Sequence, residues 1–241
     1  MTTDRFFPRM KDWHPPALTP DYKGSILRAP KNPPILVPGK MPDIHAPVFN
    51  HSKLGELDNN LITNYAIGGQ MPIGSRLLIH GRVLDENANP VPDCLIEIWQ
   101  ANSGGRYRHK ADSYLAALDP NFGGYGRTLT KADGSYEFLT IRPGAYPFPN
   151  GPNDWRPAHI HFSLFGNAFE QRLVTQMYFE GDPLIQLCPI IATLPSEEAV
   201  DRLTAKHDPL ATVPMDMQAY QFDLVLRGRG QTSFENRPEG M

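Results

Sequence analysis

Cys94 and Cys188 are the only cysteines in 241 residues. Two are too few for a disulfide framework or a thiolate zinc site, and each has the apolar neighbours expected of a small buried hydrophobe. A surplus of charge is missing as well. The 23 basic and 26 acidic side chains leave a net charge of −3, which gives no electrostatic basis for binding nucleic acid or an anionic membrane. No apolar run approaches membrane-spanning length, and Met1-Thr2-Thr3-Asp4-Arg5 lacks a signal-peptide stretch, so a cytoplasmic protein is expected. Long helical patterns are also scarce. Instead the chain has 25 prolines and 20 glycines, punctuation that favours short strands and tight turns. With 40% hydrophobic and 20% charged residues it can build a sizeable core.

Residues 1–60 read as an irregular, proline-rich N-terminal arm (Pro15-Pro16, Pro33-Pro34, Pro42) with no core of its own. Phe6, Phe7, Trp13 and Tyr22 fit an arm draped over the domain or over a partner chain. Residues 61–241 read as a β-sandwich domain. Strands are expected at Leu77–Leu84, Cys94–Gln100, Gly134–Ile141, His159–Phe165, Arg172–Phe179 and Ala219–Leu226, where strand signals recur regularly and apolar residues alternate most clearly in Cys94–Gln100 and Ala219–Leu226. One helix is expected from Pro195-Ser196-Glu197-Glu198 to about His207. The predicted fold is all-β: an antiparallel β-sandwich with long loops, the irregular arm and one short helix.

The first chemical signal is His159-Ile160-His161. In a strand, residues i and i+2 share a face, so the two imidazoles project side by side while Ile160, Phe162 and Leu164 turn to the core. Neutral imidazole is the commonest metal ligand, but the same pattern also makes an ordinary polar strand face. His14, His45, His51, His80, His109 and His207 are scattered, and no carboxylate stands at a metal-site spacing from the pair, so zinc has weak support. His80 reads as a half-buried strand residue, and His109 lies in a basic loop with Arg106, Arg108 and Lys110. Tyr107 and Tyr146, in glycine-containing loops, are open to packing roles or to ligation. A phenol ionises near pH 10, so holding one as phenolate at pH 7 costs about 4 kcal/mol and requires a strong Lewis acid such as Fe(III). Two phenolates, two imidazoles and a hydroxide would neutralise a trivalent iron.

Five blocks together make a more specific pattern: Trp99-Gln100-Ala101-Asn102, Gly104-Gly105-Arg106-Tyr107-Arg108, Asp119-Pro120-Asn121-Phe122-Gly123-Gly124, Pro143-Gly144-Ala145-Tyr146-Pro147 and Trp155-Arg156-Pro157-Ala158-His159-Ile160-His161. This combination resembles the intradiol ring-cleavage dioxygenases. The match runs from Trp13-His14-Pro15 to Phe234-Glu235-Asn236. The resemblance implies non-haem Fe(III) held by Tyr107, Tyr146, His159 and His161, with Tyr146 and His159 as the axial pair. It implies catalytic roles for Tyr146, Arg156 and Gln176, and substrate contact by Tyr22 and Arg156. Trp99 and Trp155 receive no catalytic role.

The implied reaction is O2-dependent cleavage of a small aromatic substrate, 3,4-dihydroxybenzoate, to 3-carboxy-cis,cis-muconate in aromatic degradation. The implied partner is a homologous iron-free α chain in αβ hetero-oligomers. Related catechol and hydroxyquinol enzymes carry an N-terminal helical segment, which the proline-rich residues 1–60 do not resemble. A non-catalytic assembly subunit is the alternative of another class, and retention of all four ligand-type residues argues against it. One departure from the pattern is Phe148-Pro149, where many members that pair with an iron-free chain carry Trp-Arg.

Overall fold

The computed structural model describes residues 15–16, 18–29, 54–166, 172–226, 228 and 230–233. Phe6, Phe7, Trp13, His14, His45, His51 and the Phe234-Glu235-Asn236 block lie outside them, as does most of the arm. The described chain is mostly strand. It comprises β1 (Arg76–Leu84), β2 (Leu95–Gln100), β3 (Tyr125–Leu129), β4 (Ser135–Ile141), β5 (Tyr146–Pro147), β6 (Trp155–Arg156), β7 (His159–Phe165), β8 (Arg172–Phe179), β9 (Thr204–His207), β10 (Met217–Gln221) and β11 (Leu224–Val225). The helices are short: α1 (Lys23–Arg28), α2 (Glu197–Asp201) and two 3-10 turns at Ile185–Leu187 and Ile191–Thr193. Among the described residues no helix is long and apolar enough to cross a membrane.

The main sheet follows the path β11-β1-β10-β9-β8-β7-β2-β3, with β4 also paired to β1. The expected antiparallel pairing holds for β1 with β4 and for β2 with β3 and β7. It does not hold throughout. β1 runs parallel to β10 and β11, and β8 runs parallel to β9. These pairs join segments distant in sequence, whose long connections leave room for a parallel return.

The path folds around a shared core. Leu77, Ile79, Tyr136 and Phe138 from one half meet Ile96, Ile98, Ile160, Phe162 and Leu173 from the other. Phe138 and Phe162 pack edge to face, ring centroids 6.4 Å apart. Gln100 bridges the halves with polar contacts: its amide donates to Ile141 O (2.9 Å) and accepts from the Thr140 hydroxyl (2.7 Å). Cys94 and Cys188 are buried free thiols, as expected.

Three sequence expectations are corrected. The helix expected to reach His207 stops at Asp201. Ser196 caps its start by accepting from Ala199 N. Beyond it, Thr204 and Ala205 pair with Tyr178 and Phe179, and Ala205 is fully buried, so ladder bonds and burial outweigh helix propensity. The arm, expected to be irregular, contains α1, whose approach is braced by Ser25 Oγ donating to Thr19 O and Tyr22 O. The expected strand Ala219–Leu226 is broken at Phe222-Asp223 into β10 and β11. There the Phe222 carbonyl crosses β1 at Gly81, and Asp223 Oδ1 accepts from Arg82 N (2.9 Å). A Cβ on Gly81 would come within 2.0 Å of Phe222 O. Gly81→Ala is therefore expected to lower unfolding free energy by about 3 kcal/mol, read from urea titration; an unchanged midpoint would show that this crossing relaxes freely.

Candidate metal centre

The site is built on one face of adjacent strands. Register places Trp99 of β2 and Gln176 of β8 on either side of His161, and Tyr178 opposite His159. The alternation read from the sequence holds: Ile160, Phe162 and Leu164 are fully buried in the core, and the two imidazoles share the other face, with ring centroids 5.0 Å apart.

Two loops bring the phenols to these imidazoles. Asn102, two residues past β2, organises the first: its Oδ1 accepts from Gly104 N and Arg106 N, and its Nδ2 donates to Ala117 O. Asp112 then accepts from Tyr107 N (2.8 Å) and lies 3.8 Å from Arg106. The second loop docks on the first through Gly144 N, which donates to Asn102 O (2.9 Å). Here the two backbones touch with no room for side chains. A Cβ on Gly144 would meet Ser103 O at 2.4 Å and Gly105 N at 2.5 Å, and one on Gly105 (φ +82°) would meet Ala145 O at 2.4 Å. This apposition sets the distance between the rings of Tyr107 and Tyr146, whose centroids are 5.6 Å apart and nearly perpendicular.

The four side chains converge. His159 Nε2 lies 3.3 Å from both phenol oxygens, and His161 Nε2 lies 3.2 Å from Tyr107 Oη. His159 Nδ1 is 2.7 Å from Pro157 O. A carbonyl can only accept, so Nδ1 carries the proton and Nε2 presents its lone pair to the phenols. Burial, with the charge of Arg156 and the neighbouring His161 adding to it, holds His159 well below the usual imidazole range, so the ring is neutral. Two imidazole nitrogens and two phenol oxygens facing one point suit a hard, highly charged metal ion. Among the described residues no group of three His, Cys, Asp or Glu could hold a metal; the extra donors here are tyrosines.

Arg156 is 3% exposed and bonds to Gln176 Oε1 and to Tyr178 Oη (3.2 Å), while Tyr178 Oη donates to Gln176 Oε1 (2.7 Å). Its guanidinium lies 5.6 Å from the Phe148 ring centroid. Tyr22 is buried in an apolar cluster with Tyr178, Cys188 and Ile190, against which Phe148 packs. Tyr107, Tyr146, His159 and His161 are thus brought together, Arg156 and Gln176 meet beside them at Tyr178, and Tyr22 lies in the cluster that contains Tyr178.

Two neighbours were missed by the sequence reading. Tyr178 could have been found, because it is two residues from Gln176 and shares its face. Trp99 stacks on His161 with centroids 4.8 Å apart and planes 4° from parallel; only the cross-strand register brings them together. The basic loop is also corrected in part: Arg106 lies near Asp112, and Arg108 bonds to Phe122 O and Asp119 O.

Two imidazoles and two phenols converging on a strand-rich scaffold form a donor set suited to a metal ion, and comparison with known proteins gives the family. A family model described as Dioxygenase matches residues 44–228, and one described as Protocatechuate 3,4-dioxygenase beta subunit N terminal matches residues 7–40. The chain belongs to the intradiol ring-cleavage dioxygenase family and is an enzyme of that class. Within the family it is 50% identical to the protocatechuate 3,4-dioxygenase beta chain of Burkholderia cepacia over 227 residues, covering 93% of this chain and 96% of the relative. It is 31% identical to the alpha chain from Pseudomonas putida, over 67% of this chain and 76% of that one. Among solved structures, catechol 1,2-dioxygenase from Acinetobacter sp. ADP1 is similar at TM-score 0.51 and 26% identity, covering 70% of this chain and 61% of that one.

Gly144→Ala is expected to leave far-UV circular dichroism intact but to lower affinity for a metal ion by about 10-fold or more, the usual effect of disturbing the support of ligands. Equilibrium dialysis reads it; wild-type affinity would mean that the glycine contact does not set the donor spacing.

Proposed function

We propose that this protein is the iron-bearing chain of a protocatechuate 3,4-dioxygenase, cleaving 3,4-dihydroxybenzoate with O2 to 3-carboxy-cis,cis-muconate. The observation that carries this reading is the convergence of Tyr107, Tyr146, His159 and His161 on one point, in a chain 50% identical to a protein of that name. These four residues would hold non-haem Fe(III). When bound, the ion supplies the Lewis acidity that keeps phenols ionised at neutral pH and the open-shell electrons that relieve the spin restriction on reaction with O2.

The protein's own groups supply the rest. Tyr146 Oη, on the loop edge of the site, accepts a proton from an incoming catechol hydroxyl. Arg156, fixed by Gln176 and Tyr178, keeps a permanent positive charge beside the ring, where negative charge develops during oxygen attack. Because burial of Arg156 and its bonds fix it before substrate arrives, little reorganisation accompanies the reaction. Phe148 gives the ring a flat apolar wall in place of the Trp-Arg pair, and Tyr22 closes the same side through the shared cluster. Gln176 acts by holding the arginine.

The chain division belongs to this reading too: residues 1–60 as an arm and residues 61–241 as the catalytic domain. The two-layered β-sandwich arrangement of that domain is supported by the core packed between the β1–β4 and β2–β7–β8 sides. The partner is a homologous α chain, supported by similarity to both a beta and an alpha chain of one enzyme.

The test is a visible absorption spectrum of iron-loaded protein, co-expressed with an α chain, before and after anaerobic 3,4-dihydroxybenzoate. A phenolate-to-Fe(III) band that shifts with substrate is expected. A colourless iron-loaded protein would overturn the tyrosine ligation, and a shift with catechol alone would overturn the substrate. In stopped-flow, Tyr146→Phe is expected to retain iron but slow substrate binding by about 100-fold or more, the range of a lost general base; wild-type binding rates would remove the proton-accepting role. Trp99→Leu is expected to weaken iron retention against a chelator by about 10-fold, with Trp99→Phe keeping most of it. Equal retention in all three proteins would make the indole a bystander.

A further inference from the structure

The described part of the arm meets the domain at the β5–β6 hairpin, and one side chain there bonds to it from two directions. Asn150 Oδ1 accepts from Lys23 N (2.8 Å), and Asn150 Nδ2 donates to Asp21 O (2.9 Å). These two backbone groups flank Tyr22. The same amide donates to Asp154 Oδ2 (2.9 Å), while Phe148 N donates to Asp154 O and Asn150 N to Phe148 O. Asn150 is therefore held rigidly by its own loop and is 8% exposed. A buried amide with its donors and acceptor engaged is an effective fastener, because leaving any of these groups unmade is costly.

The bonds clamp the backbone on both sides of Tyr22, whose ring lies 5.9 Å from that of Phe148 and within the cluster containing Tyr178. Phe148 and Tyr178 both contact Arg156. The hairpin itself begins at Tyr146 and ends at Arg156, which pair across it. One loop thus carries a candidate metal ligand, the wall residue, the arginine and the fastening for the arm.

We propose that Asn150 is a positioning residue that seats the Tyr22 segment against the substrate pocket and thereby sets substrate affinity. This rests on the reading of Tyr22 as a substrate-facing residue. The side chain of Asn150 bonds to Lys23 N, Asp21 O and Asp154 and so acts through the backbone of Asp21 and Lys23. Both hydrogen-bonding functions of its amide are needed. An aspartate would still accept from Lys23 N, but it would set a second carboxylate against Asp154 and an acceptor against Asp21 O.

The experiment compares the full iron-loaded protein, with its α chain, as wild type, Asn150→Ala, Asn150→Asp and the Asn150→Asp/Asp154→Asn double variant. Hydrogen exchange in residues 18–29 is read alongside steady-state kinetics with 3,4-dihydroxybenzoate. In Asn150→Ala, exchange of this segment and KM are each expected to rise about 10-fold, the effect of two lost hydrogen bonds of ordinary net strength, while kcat and the visible band stay as in wild type. Asn150→Asp is expected to be at least as impaired. The double variant is expected to recover in part, because an amide at position 154 can donate where the carboxylate of Asp154 could not.

Unchanged exchange in residues 18–29 would overturn the seating, and faster exchange with unchanged KM would overturn its link to substrate affinity. A fall in kcat with loss of the visible band would overturn the positioning role in favour of general support of the site. Failure of the proposed function is separable from all of these: it would appear as absence of ring cleavage in the wild type, with exchange still deciding the seating.

Discussion

A slip of β7 by one residue against β2 and β8 would carry His159 and His161 into the core and push Ile160 and Phe162 out toward Tyr107 and Tyr146. The register that prevents this is fixed by burial. Ile160, Phe162 and Leu164 are fully enclosed among residues of both halves of the sheet, and exposing three such side chains would cost roughly 5 kcal/mol or more by their transfer free energies. The same register sets Trp99, His161 and Gln176 in one row and His159 and Tyr178 in the next. Two imidazoles, a stacked indole and the groups that hold Arg156 are therefore positioned by the hydrophobic core on the other side of the strands.

The phenols depend on a different constraint. Tyr107 stands on a loop and Tyr146 opens the two-residue strand β5, and neither belongs to the main sheet. Their spacing comes from the meeting of Gly105 and Gly144, and from Asn102, which bonds to both loops. Rigid strands supply the nitrogen donors, and loops held backbone to backbone supply the oxygen donors. The hairpin that begins at Tyr146 extends the arrangement outward to Phe148, Asn150 and Arg156, so the residues that meet the Tyr22 segment share a mount with one of the phenols.

Much of this was legible in the residues. Alternation in His159–Leu164 and the apolar, β-branched and aromatic content of Arg172–Phe179 gave both strands with their observed ends. The short strands were not legible. Thr204–His207 reads as the end of a helix because its apolar content is low, and it becomes a strand only because β8 and β10 offer ladder partners on both sides. Ala219–Leu226 alternates without a break, yet Gly81 lets the Phe222 carbonyl cross and the strand divides. Helix α1 has no apolar periodicity to announce it within a proline-rich arm.

The sequence by itself determined the kinds of donor available, the face on which the two histidines lie and, through the motif blocks, the family. Those properties are local: they depend on residue type and on neighbours one or two positions away. Tertiary structure decided that Trp99 stacks on His161, that Gln176 and Tyr178 hold Arg156, and that Asn150 clamps the backbone around Tyr22. Each of these contacts joins residues from different strands or loops, and only register and chain return bring them within reach.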